Sequence, residues 1–397
     1  MTPQRRSDLA YVAAILIGVL FIIFLGPLER RLEIAHINDF SGFWAGPRAV
    51  LAGVSPWDPA RYPDARIAFD TQLDSAPVLN YMPWTVIALL PIGLLPLDVA
   101  AWIWMALSIV CAAIALRALL REFLPGRAVV HGMLGLALFV GQPGFHTIVL
   151  GQWALLLMSA VAAIVLAVRA DHARRAGVAA LALLAKPQLF VWTALGLGIA
   201  ALFDLRYRRF VVFALVVGGA LVVASWLAYP DWFGAWSADI PARRTGRSAV
   251  LLSAFGQLLG TPGRVLAIAV IGAGLVLASR FVPGSDSWLA IWLALSSAGA
   301  IYSWSYDHVL LFVPVVVAGG VLAAAGREQP ARRLTIGGAL TFLLVSPLFY
   351  AIGVLRHDET FSIAVPVALF VAIAWSLWPY RRGALPRERP AQQVEPA

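Results

Sequence analysis

Asp39 opens a segment that reads Asp39-Phe40-Ser41-Gly42-Phe43-Trp44 and runs on through Val50-Leu51 to Gly53 and Pro56. Phe40, Phe43, Trp44, Val50 and Leu51 share one face at helical spacing, which predicts a short helix lying in a membrane interface. A carboxylate at the start of that helix sits where exposed N–H groups and the helix dipole favour negative charge. Two readings of Asp39 follow. It is a plain N-cap, or it is a rigidly held general base able to take a proton from a substrate hydroxyl.

Lys186 is the only lysine in the chain, and it stands beside Pro187 within an apolar stretch. A charge in lipid costs about 2.5–3.5 kcal/mol on insertion scales, so such a residue faces a cavity or has a partner. It could hold a phosphate as a point charge, or snorkel from a short helix. A third site is Tyr302-Ser303-Trp304-Ser305-Tyr306-Asp307-His308. A histidine beside Asp307 could be protonated and so contact a phosphate; the other reading of His308 is an interfacial residue among aromatic neighbours.

Weaker candidates surround these three. Asp58, in Ser55-Pro56-Trp57-Asp58-Pro59, shapes a turn or lines a cavity. Tyr81, Met82, Pro83 and Trp84 form an interfacial belt that could shape a substrate cavity. Gly141-Gln142-Pro143-Gly144-Phe145-His146 interrupts one apolar run and Gly151-Gln152-Trp153 opens the next. Amides such as Gln152 could bind a polar ligand or merely cap helix ends. Arg243, Arg244 and Arg247 could grip an anionic head group.

The elements that must position these residues are membrane spans. The chain has 397 residues, 61% of them hydrophobic and only 13% charged. Its mean hydropathy is +0.82. A soluble fold of this length needs more charge to cover its surface. The apolar residues come in runs near the roughly 20 residues that cross a bilayer core of about 30 Å. The net charge of +9 is carried by arginines in short loops between those runs. That pattern marks cytoplasmic loops rather than a nucleic-acid surface. Cys111, the only cysteine, excludes an intrachain disulfide.

Threaded on that rule, the N-terminus lies inside and an uncleaved first span covers about 9–26. A long external segment, 27–83, follows. Further spans are predicted at about 98–120, 128–149, 152–168, 210–228, 263–280, 288–304, 309–326, 334–353 and 362–379, with a short apolar piece at 84–95. The stretch 176–203 has basic residues at both ends and reads as two short helices broken at Lys186-Pro187. The expected fold is an all-α polytopic integral membrane protein of about 10–12 transmembrane helices. Residues 1–382 form one transmembrane domain, and 383–397 form a disordered cytoplasmic tail. In this threading Asp39, the Lys186 break and His308 reach the non-cytoplasmic face. The sequence shows no Cys/His metal cluster, phosphate-binding glycine loop or nucleophile elbow, so neither metal nor nucleotide cofactor is expected.

At these same junctions the chain resembles glycosyltransferase family 87, multispanning enzymes of the GT-C class. The matching pieces are Asp39-Phe40-Ser41-Gly42-Phe43-Trp44, Leu51-Ala52-Gly53, and Pro56-Trp57-Asp58-Pro59. Then come Tyr81-Met82-Pro83, Leu90-Pro91, Leu95-Pro96, Gly151-Gln152, Ala185-Lys186-Pro187, and Ser303-Trp304 with His308. The resemblance implies a polyprenyl-phosphate sugar donor, most often mannose, and a lipid-linked or glycan acceptor. It implies inverting transfer at the external face of the plasma membrane. In that reading Asp39 is the general base, Lys186 and His308 contact the donor phosphate, and Asp58, Tyr81, Gln152, Trp304, Asp307, Arg243 and Arg244 line the cavity. The partners expected are the donor, the acceptor and membrane lipids, and not nucleic acid. The competing class is a transporter or lipid flippase. That would carry charges near the midplane and two related halves; here the polar sites gather at helix ends and no repeat is visible.

Overall fold

The computed structural model describes residues 1–31, 39–69, 71, 77–243 and 247–382, with side chains left out at 27–31 and 240–243. His36, Asn38, Arg244 and the tail 383–397 lie outside the described residues, as does the side chain of Arg243.

The described residues form helices and no strands: α1 (Pro3–Arg31), α2 (Asp39–Leu51), α3 (Tyr62–Ala68), α4 (Pro83–Gly93), α5 (Leu97–Phe123), α6 (Ala128–Val140), α7 (Gln142–Leu150), α8 (Ala154–Arg169) and α9 (Ala173–Leu181). After them come α10 (Val191–Phe203), α11 (Leu205–Ala228), α12 (Trp232–Arg243), α13 (Leu251–Ala278), α14 (Asp286–Ala298), α15 (Phe312–Ala324), α16 (Glu328–Leu340), α17 (Ser346–Arg356) and α18 (Ala364–Leu377). Among these, eight stretches are long and apolar enough to cross a membrane, and three shorter apolar helices accompany them. The chain is an all-α polytopic membrane protein. Lipid offers no hydrogen bonds, so each span must satisfy its own backbone, and a helix does so within one segment.

Burial sorts the helices by position. Every residue from Ser287 to Ala298 in α14 and from Phe312 to Leu322 in α15 is buried. A helix apolar all round and covered all round belongs at the centre of the bundle. By contrast α11 leaves Leu215, Val216, Val223 and Leu227 exposed, as a lipid-facing helix does. On α5 the two faces separate cleanly. Ala100, Trp104, Ser108, Ala112, Leu116 and Phe123 turn inward at helical spacing, and Trp102, Ile103, Val110 and Ile114 turn outward. Close approach of α1 to α6 depends on glycine: a Cβ on Gly18 would stand 2.7 Å from the Cβ of Phe139.

The charged loops meet at one end of the bundle. Asp8 on α1 pairs with Arg121 at 2.6 Å and Arg117 at 3.6 Å. Arg127 pairs with Glu328 at 2.5 Å, and Arg169 pairs with both Glu122 and Asp286. The loops expected on the cytoplasmic side are thus physically joined to each other.

The spans depart from regular helix where the sequence predicted. Gly141 adopts an extended conformation between α6 and α7. The Lys186-Pro187 break becomes two 3-10 turns, Ala182–Ala185 and Pro187–Leu189, between α9 and α10. Two features differ from expectation. The span predicted from 263 is preceded by a further helical segment from Leu251, and Gly260, at a φ of 64°, breaks the helix between the two ahead of Pro262. On α2, Leu51 is 44% exposed. Pro47 takes a place on the buried face, because it packs on Gly93 of α4, where a Cβ would lie 2.7 Å from it.

Candidate functional site

Asp39 stands at the first turn of α2, whose Phe40, Phe43 and Trp44 are buried. Trp44 Nε1 donates to the Leu95 carbonyl at 2.9 Å and anchors the helix to the α4–α5 connection. Gln152 Nε2 donates to Asp39 Oδ2. The grip has a local cause. Gly151 caps α7 in the left-handed region, and the Gln152 N–H turns back to the Thr147 carbonyl at 2.8 Å. Gln152 is therefore held by its backbone before its side chain reaches Asp39.

An aromatic wall adjoins the carboxylate. Phe43 meets Tyr81 edge-on at 4.7 Å, and Trp104 meets Trp153 at 4.6 Å. Trp104 Nε1 donates to the Gly151 carbonyl at 2.8 Å. Tyr81 is fixed by the Pro56-Trp57 segment, since Trp57 Nε1 donates to its carbonyl at 3.1 Å. Burial pushes the Tyr81 phenol well above its usual range, and the carboxylates of Asp39 and Asp307 push it the same way. Tyr81 thus lies within the field of both acids and joins two parts of one site.

The second part is built on a 3-10 turn, Ser305–Leu311, leading into α15. Lys186 Nζ lies 3.0 Å from Asp307 Oδ1, with side chains 7% and 3% exposed. It also sits 4.7 Å from the centroid of the Tyr306 ring. The other oxygen of Asp307 accepts the Trp304 N–H at 3.1 Å. Trp84 Nε1 donates to the Leu184 carbonyl at 2.9 Å and so satisfies an acceptor freed at the break. His308 is 1% exposed, and among the described residues neither of its ring nitrogens has a hydrogen-bond partner. Trp304 Nε1 donates to the Tyr302 hydroxyl at 2.8 Å.

The structure therefore brings Asp39, Gln152, Tyr81, Lys186, Trp304, Asp307 and His308 to one end of the bundle. Asp58 serves its own turn instead. Its Oδ1 accepts the Ala60 N–H at 2.9 Å and the Arg61 N–H at 3.3 Å. Arg244 and the side chain of Arg243 lie outside the described residues.

One acid escapes a reading of the sequence, and one amide, Gln142, has partners that the sequence does not announce. Glu359, on the connection before α18, accepts the Ser305 N–H at 2.8 Å. Burial raises its carboxyl above the ordinary range, against the pull of the Ser305 hydrogen bond. Gln142 bridges Ser305 and Ser346, donating to the first at 2.9 Å and accepting from the second at 2.7 Å. No local spacing marks either role, because every partner is distant in sequence. Among the described residues no three His, Cys, Asp or Glu side chains converge as metal ligands.

The family model for glycosyltransferase family 87 matches residues 79–347, more than half of the chain. The matched segment holds Tyr81, Gln152, Lys186, Trp304, Asp307 and His308; Asp39, Asp58 and Glu359 fall outside it. No curated protein and no solved structure matches the chain.

Proposed function

The chain belongs to glycosyltransferase family 87, and from that premise we propose that it moves a sugar, mannose by preference, from a polyprenyl-phosphate donor to a hydroxyl of a lipid-linked or glycan acceptor, with inversion. It is a membrane glycosyltransferase, with residues 1–382 acting as one transmembrane catalytic domain. The reaction takes place at the external face of the plasma membrane, and both termini are cytoplasmic.

One observation carries the reading: a helix-start carboxylate, oriented by Gln152, shares the field of Tyr81 with a buried lysine–aspartate pair. Asp39 takes the proton of the acceptor hydroxyl as its oxygen attacks the anomeric carbon. The bond from that carbon to the phosphate oxygen breaks, and polyprenyl phosphate departs with the electron pair. Charge grows on the departing phosphate, so fixed cations and donors there lower the barrier. Lys186 has three N–H donors. One is taken by Asp307, and the others face the phosphate. His308, with its ring nitrogens unclaimed, supplies a further hydrogen bond once the donor opens the site. Asp307 keeps the lysine aimed.

The test is transfer in proteoliposomes loaded with labelled polyprenyl-phosphate mannose and a membrane-lipid acceptor, comparing wild type with Asp39→Asn. The loss expected on removing a general base is about 100-fold or more. Equal turnover by the two proteins would remove Asp39 from the mechanism. A matched pentosyl donor in the same assay decides the sugar.

A further inference from the structure

Three connections meet at the same end of the bundle as Lys186. The Glu359 N–H donates to the Arg247 carbonyl at 3.2 Å, and the Ala249 N–H donates to the Ser303 carbonyl at 2.9 Å. Glu359 Oε2 then accepts the Ser305 N–H at 2.8 Å. Next to it, the Trp304 N–H is taken by Asp307 Oδ2. Two successive N–H groups at the start of the 3-10 turn are thus claimed by two different carboxylates, and the second of these also holds Lys186. A short 3-10 helix has weak internal hydrogen bonds, so its outside partners set its place. On its other side Gln142 holds Ser305, and Thr147 Oγ1 lies 3.3 Å from the Tyr306 carbonyl.

We infer that Glu359 is a positioning residue of the transferase site: by accepting the Ser305 N–H it fixes the turn that aims Asp307 and His308, and through Asp307 it holds Lys186 at the donor phosphate. The catalytic part of this inference rests on the proposed function; the positioning part does not. Glu359 touches neither reacting atoms nor Lys186, and acts through the turn. What it supplies is an acceptor oxygen, so a glutamine keeps the function and an alanine loses it.

The chain offers an internal reporter, because Lys186 is its only lysine. Acylation of the full-length protein in detergent, with N-hydroxysuccinimidyl acetate and peptide mass spectrometry, reads the exposure of Lys186 directly. The N-terminal amine serves as the reference. Glu359→Ala is expected to speed Lys186 acylation by roughly tenfold, as a local opening of the turn does. Glu359→Gln is expected to restore protection close to that of wild type. In the transfer assay Glu359→Ala raises the donor KM about tenfold with a smaller change in kcat, and Glu359→Gln recovers most of the loss. Melting in detergent identifies a variant that is simply unfolded, and the glutamine variant then carries the comparison.

Wild-type acylation of Lys186 in a folded Glu359→Ala protein would overturn the inference. So would a Glu359→Gln protein as impaired as Glu359→Ala, because then charge and not an acceptor would be at stake. Failure of the wild type to transfer sugar would count against the proposed function alone, and the labelling would still judge the positioning.

Discussion

Lys186 Nζ rests 3.0 Å from Asp307 Oδ1, across 121 residues of sequence, with both side chains almost wholly buried. This pair ties the broken helix at Pro187 to the turn that opens α15. Removing one partner of a buried pair leaves a lone charge, which costs about 3–5 kcal/mol, whereas removing both together costs far less. Lys186→Met and Asp307→Leu should each lower the thermal midpoint in detergent markedly. The Lys186→Met/Asp307→Leu double variant should recover much of that loss. Strict additivity across the cycle would mean that the two groups do not interact.

Gln152 orients Asp39, so its loss should appear in turnover more than in binding. A hydrogen bond to a charged group contributes about 1.5–3 kcal/mol, equivalent to roughly a 10- to 100-fold fall in kcat for Gln152→Leu. Gln152→Glu sets a second carboxylate against Asp39 and should be slower still. Steady-state kinetics with a saturating donor checks both; a wild-type kcat in Gln152→Leu would show that the amide does not orient the base.

Glu359 predicts a pH dependence of stability. Burial raises its carboxyl above the ordinary value of 4.5, and the neighbouring Asp307 and Asp358 act in the same direction. The folded protein therefore keeps a proton that the unfolded chain has released. Stability from this group is fully present below about 4.5 and is lost as pH rises through the folded-state value. Glutamine does not titrate. The melting temperature of wild type relative to Glu359→Gln should fall as pH climbs from 4.5 toward neutrality, and a constant difference would contradict the burial effect.

Sidedness can be mapped with reporter fusions. The ion pairs of Asp8 with Arg121 and of Arg127 with Glu328 require their loops to share a face. On the positive-inside rule that face is expected to be the cytoplasmic one. Fusions after residues 126, 171 and 326 should report the cytoplasm, and fusions near residues 302 and 358 the opposite side. The reverse pattern would place the site on the cytoplasmic face.

Much of the site is visible in the sequence as residue types at helix junctions. Lys186 stands out because a lone lysine beside a proline in an apolar run needs a reason to be there. Asp39 stands out because it precedes aromatic residues at helical spacing. Glycine and proline at 141–144 and at 187 announce their breaks, since the cost of each is local and independent of neighbours. The helical segment at 251–259 is not legible in this way, because Gly260 and Pro262 mark where the following span starts and say nothing of what precedes it.

The sequence by itself determined the membrane class, the order of the spans and the charged end of the bundle. Those depend on chain-local quantities: hydropathy over some 20 residues, and the placement of arginines in short loops. The tertiary structure alone shows that Gln152 donates to Asp39, that Asp307 pairs with Lys186, that Asp58 serves its own turn, and that Glu359 accepts the Ser305 N–H. Apart from the Asp58 turn, these pairings join residues more than 50 positions apart in the chain. They form because the packing of the bundle brings particular helix ends together, and a buried polar group then takes whichever partner that packing delivers.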